Sequence, residues 1–100
     1  MEVLKQTLDG KQLEIVELKV VKKEQRLNMQ MHFWCEGKFY SASFFNVSRI
    51  NITNFSVPLQ IGGLEIISTS EIGWDASSRY MFNDFEDTTL NFYFEDYYIM

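Results

Sequence analysis

The chain reads as an all-β (mainly β) protein: an antiparallel sheet of about six or seven strands, folded into a small sandwich or an open barrel. Three observations carry that reading. Apolar residues recur with period 2, and no long segment keeps a helical period. Phe, Tyr, Trp, Ile and Val, which suit a pleated and half-buried surface, are abundant, while alanine occurs only as Ala42 and Ala76. Turn signals separate the apolar runs, among them Asp9-Gly10, Glu36-Gly37 and Gly62-Gly63.

Taken in order, residues 2–8 read equally as a first strand or one helical turn, since Leu4 and Leu8 are four apart. Leu13 to Val21 is a strand whose apolar parity shifts between Ile15 and Val16, which predicts a bulge or burial on both faces. Lys22 to Gln25 turns the chain into Leu27–Cys35, the clearest alternation of all. There Leu27, Met29, Met31, Phe33 and Cys35 share one face, and Asn28, Gln30, His32 and Trp34 the other. Glu36-Gly37-Lys38 is a hairpin turn in which Gly37 supplies the positive φ, and Phe39–Phe45 returns as the partner strand. Ile50 and Ile52 place a short strand within 48–55. Pro58 has no N–H to give to a ladder and marks a break or an edge. Leu64–Ser70 is a strand, Glu71–Ser78 a loop, and Arg79–Asp84 with Thr88–Asp96 a second hairpin about Phe85-Glu86-Asp87.

One hundred residues make a single domain, 1–100, with 46% hydrophobic content to fill one core. A single cysteine, Cys35, rules out an internal disulfide. The first ten residues lack a basic region followed by an apolar run, and no stretch reaches the ~18 apolar residues of a membrane-spanning helix, so a cytoplasmic location is expected.

Charge is divided unevenly along the chain. Residues 71–100 hold seven carboxylates against the lone Arg79, together with nine of the sixteen aromatics; residues 1–70 hold seven acids and eight bases. This end is therefore expected to present an acidic aromatic face to a basic protein partner, with Trp74, Asp75, Asp84, Glu86, Asp87, Glu95, Asp96, Tyr97 and Tyr98 as the contact residues. A net charge of -5 argues against nucleic-acid binding, and the basic run Lys19, Lys22, Lys23 and Arg26 reads as charged residues at a strand end and hairpin tip.

Catalytic sets are missing. His32 and Cys35 stand alone, too few for a zinc site, and their spacing puts them on opposite faces of one strand, out of reach as a nucleophilic pair. Gly62-Gly63 is not followed by the Lys-Ser or Lys-Thr of a phosphate loop. Asp84, Glu86 and Asp87 form an acidic turn expected to be solvated. The chain is thus expected to be no enzyme, with no cofactor and no metal.

Two runs carry a resemblance. The first is Phe45-Asn46-Val47, Ile52, Phe55-Ser56, Pro58, Ile61 and Gly63-Leu64-Glu65-Ile66; the second is Gly73-Trp74, Arg79-Tyr80, Asp84-Phe85-Glu86-Asp87 and Phe92-Tyr93-Phe94-Glu95. Over roughly residues 44–96 the chain resembles small bacterial immunity proteins of polymorphic or contact-dependent toxin systems. That resemblance implies a one-domain, cytoplasmic, non-catalytic protein that binds one toxin domain, and it brings no site motif with it. Two other readings compete: a small β-barrel carrier of an apolar ligand, supported by the 16% aromatic content, and a structural subunit whose edge strands pair into a homodimer or ring.

Overall fold

The computed structural model describes residues 8, 10–53, 59–68, 80–86 and 89–99. The strands are β1 (Leu13–Lys23), β2 (Arg26–Cys35), β3 (Lys38–Phe45), β4 (Ser48–Ile52), β5 (Leu59–Ile61), β6 (Leu64–Ser68), β7 (Tyr80–Asp84), β8 (Leu90–Phe94) and β9 (Asp96–Ile99). They form a five-stranded sheet of order β5-β1-β2-β3-β9 and a four-stranded sheet of order β4-β8-β7-β6. Every pairing is antiparallel. The two sheets are not closed into a barrel, so of the two expected architectures the sandwich is the one found.

The expected strand count is too low. Nine strands occur among the described residues, and the two extra ones are β5 and β9. β5 is three residues long and too short to show a period. β9 shares only Asp96 with the expected last strand, Thr88–Asp96, and otherwise lies beyond its end. The chain in fact turns a corner at Glu95, so that β8 belongs to one sheet and β9 to the other. Parity records the corner: Leu90, Phe92 and Phe94 are buried, and then Tyr97 and Ile99 face the core.

Alternation explains the core. Leu13, Ile15, Met29, Met31, Phe33, Ala42 and Phe44 point inward from the larger sheet, and Leu64, Ile66, Phe82, Leu90, Phe92 and Phe94 from the smaller. Phe44 joins the layers edge-on, its ring centroid 5.9, 5.1 and 4.9 Å from those of Phe82, Phe92 and Phe94. Its truncation to alanine is worth about 3–5 kcal/mol by the usual cost of an aromatic cavity.

The β1–β2 ladder shifts register between Ile15 and Glu17, which is a bulge at the position of the parity shift. Two tight turns follow. Glu36 (φ 51°) and Gly37 (φ 79°) connect the Cys35–Lys38 pair, and Glu24 (φ 53°) and Gln25 (φ 72°) connect the Lys23–Arg26 pair. A two-residue hairpin needs positive φ at both centres because only that twist matches the strands. β5 pairs with Leu13–Ile15 alone, so β1 beyond the bulge is bonded to β2 on one side only, among the described residues. Leu8 is buried in the core; the rest of 2–8 lies outside the described residues. No described helix is long and apolar enough to cross a membrane.

Candidate binding surface

The acidic aromatic residues expected to form one face are placed in different settings. Trp74, Asp75 and Asp87 lie outside the described residues. Asp84 corrects the expectation directly. It is fully buried, so it offers nothing to a partner. Its carboxylate accepts hydrogen bonds from the backbone N–H groups of Gly63 (3.3 Å), Glu86 (3.3 Å) and Thr89 (3.1 Å). It therefore ties the β7–β8 turn to the segment entering β6. A buried charge persists when donors surround it in this way.

Glu95 is half-buried and accepts a hydrogen bond from Asn46 Nδ2 at 2.8 Å. Tyr97 is half-buried and packs against the core, and so is no free contact residue. Glu86 is exposed, beside the β7–β8 turn. Asp96 and Tyr98 are exposed on β9, opposite Phe45 and Ser43 of β3. One protein-facing acidic surface built from the C-terminal end is thus not assembled by the described residues. The reason is period: Asp84 follows Phe82 by two and falls on the core side, while the corner at Glu95 sends Asp96 and Tyr98 to the other sheet.

That other sheet carries the surface the sequence reading missed. The register sets out its outward residues in rows. Gln60, Glu14, Trp34 and Phe39 form one row across β5, β1, β2 and β3. Glu17, His32 and Ser41 form the next, and Lys19, Gln30, Ser43 and Tyr98 the third. At the far end stand Lys23 and Arg26. Trp34 and Phe39 are 43% and 49% exposed, and their ring centroids are 5.0 Å apart, tilted by 60°. Phe39 also lies stacked beside His32 at 6.0 Å, and His32 Nδ1 shares a 2.8 Å hydrogen bond with Ser41 Oγ. Phe45 and Tyr98, at 40% and 58% exposure, extend the aromatic area toward β9.

Such a face has clear chemistry. Tilted rings give a rigid apolar platform whose π faces attract cations, and Glu14 and Glu17 on the neighbouring strand supply charge beside it. The signal was present in the sequence: Trp34 interrupts the polar set Asn28, Gln30 and His32, and a two-residue turn at Glu36-Gly37 brings Phe39 directly opposite it.

At the end of the sandwich, Lys11, Cys35, Glu36, Lys38 and Tyr40 line a pocket of about 200 Å³. Lys11 and Glu36 form an ion pair there, and the hydrogen bond to Glu36 raises the Lys11 pKa. Cys35 is buried, and that burial pushes its thiol pKa up, with Glu36 adding to the effect and Lys11 opposing it. The pocket is charged at its rim and small, a poor fit to an apolar ligand. The aromatics expected to line a carrier's lumen instead interlock between the sheets. No three His, Cys, Asp or Glu side chains converge among the described residues as a metal site would require. Comparison of the chain with protein-family models, curated proteins and solved structures gives no significant match.

Proposed function

We propose that the chain is a non-catalytic binding module that docks a basic protein on the outer face of its five-stranded sheet. The observation that carries this reading is the exposed Trp34–Phe39 pair, 5.0 Å apart, with Glu14 beside Trp34 in the ladder and Glu17 one row away. Desolvated aromatic anchors slow release, while flanking carboxylates speed encounter with a cationic surface. Asp96 and Tyr98, from the originally expected set, border the same face. An immunity protein facing a basic toxin domain needs this combination, and the resemblance over residues 44–96 points the same way. The lone reduced cysteine, buried, suits a cytoplasmic protein of this kind.

The test is calorimetric titration against the protein encoded next to this chain's own gene, with surface variants. Trp34→Ala is expected to weaken binding by about 2–4 kcal/mol, as for a central anchor. Glu14→Lys with Glu17→Lys is expected to slow association and to flatten its dependence on salt. Binding that is indifferent to all three substitutions overturns the proposal.

A further inference from the structure

We infer that, when no such partner is bound, a second copy of this chain covers the same face in an antiparallel two-fold arrangement. The inference rests on the reading of that face as a docking surface, and adds the identity of one occupant. Its basis is a charge pattern that is complementary to itself. Glu14 and Glu17 lie at one end of the outer face with Trp34 and Phe39, and Lys23 and Arg26 lie at the other end. Glu14, Glu17, Lys23 and Arg26 make no ion pair among the described residues. Trp34 and Arg26 belong to one strand and are about 27 Å apart at ~3.4 Å per residue.

The central row of the face, Lys19, Gln30, Ser43 and Tyr98, falls midway between those ends. A two-fold axis along that row, parallel to the hydrogen-bonding direction, reverses each strand and keeps each over its own counterpart. It sets the row of Glu14 and Trp34 over the row of Lys23 and Arg26 of the second copy, and the reverse. Glu14 then meets Lys23 within β1, and Trp34 receives the Arg26 guanidinium on its ring face within β2. By symmetry both contacts occur twice. Tyr98, the most exposed of the large hydrophobic side chains on the face at 58%, lies over its own counterpart. Lys19 also lies over its own counterpart, a like-charge contact that Glu17 of either copy, one row away, offsets. Covering the face also removes Trp34, Phe39, Phe45 and Tyr98 from water at once.

Two opposite charge reversals test this. One variant carries Glu14→Lys and Glu17→Lys, the other Lys23→Glu and Arg26→Glu; Glu17, Lys23 and Arg26 are exposed and Glu14 is half-buried, and circular dichroism checks that each variant keeps the fold. The wild-type protein is expected to sediment as a salt-sensitive dimer, and each variant alone as a monomer, because like charges then face each other at both ends. An equimolar mixture of the two variants is expected to restore a dimer, since residues 14 and 23, which face each other across the axis, are again opposite in sign at both ends. A wild-type protein that stays monomeric up to its solubility limit, or a mixture that stays monomeric, overturns the inference. The docking reading is judged separately: partner binding lost in Trp34→Ala by a monomeric wild type leaves that reading standing while self-association falls.

Discussion

Asn46 and Glu95 occupy two of the corners where the chain passes between the sheets, and Asn46 Nδ2 donates a hydrogen bond to Glu95 Oε2 at 2.8 Å. The two corners are bonded through the backbone as well, with Glu95 N–H donating to the Phe45 carbonyl at 3.0 Å. Asn46 sits at φ 54°, a left-handed conformation that asparagine tolerates better than most side chains. The pair fixes how the four-stranded sheet sits over the five-stranded one. Glu95→Ala is expected to cost about 1–2 kcal/mol, and Asn46→Ala about 2–3, because alanine also resists the left-handed backbone. A double-mutant cycle by urea denaturation should give a coupling near 1 kcal/mol. Strict additivity would mean that the side-chain bond contributes nothing to the corner.

Asp84 and Glu86 are two residues apart and are expected to behave oppositely. Glu86→Ala, on the surface, should change stability by no more than about 0.5 kcal/mol. Asp84→Asn places an amide among N–H donors and should cost about 1–3 kcal/mol; Asp84→Ala leaves those donors unsatisfied and should cost about 3 kcal/mol or more. Thermal melts of the three variants decide the matter. Equal losses at both positions would contradict the buried carboxylate.

The β1–β2 turn is built from residues poorly suited to it. Glu24 and Gln25 both hold positive φ, where Asn-Gly is preferred. Replacing the pair by Asn-Gly should raise stability by about 1–2 kcal/mol through relief of the left-handed strain. A lowered urea midpoint would show that the tip side chains make contacts that outweigh that strain.

Cys35 links stability to alkaline pH. Its pKa is raised in the folded state by burial, then by Glu36. The stability this provides is complete below the unfolded thiol value and is lost as pH rises toward the folded value. The urea midpoint of the wild-type protein should therefore fall more steeply than that of Cys35→Ala between neutral pH and about pH 10. Alkylation of the native thiol should be slow throughout the ordinary thiol range. Parallel curves and fast alkylation would contradict a protonated, shielded thiol.

Much of the larger sheet was legible in the sequence. Strict alternation gave β2 and its partner, the parity break at Ile15 and Val16 gave the bulge, and Gly37 gave the second turn. What failed did so for physical reasons. β5 has three residues, too few for an alternation to stand out in sequence. The corner at Glu95 depends on Asn46, 49 positions away, a contact no local pattern records. Asp84 has acidic neighbours in sequence, but its spacing from Phe82 places it inside. Aromatics are densest in sequence toward the C-terminal end, yet Phe82, Phe92 and Phe94 of that stretch make the core. Trp34 and Phe39 meet only through the ladder register.

Among the described residues β1 beyond its bulge pairs on one side only, which has a consequence for how the protein is kept from clumping. An open edge of this kind invites a neighbouring chain to add a strand. Lys19, Lys22 and Lys23 stand along that edge and are all exposed, so an incoming copy in register must crowd ammonium groups against its own. Acetylation of those amines would remove this guard.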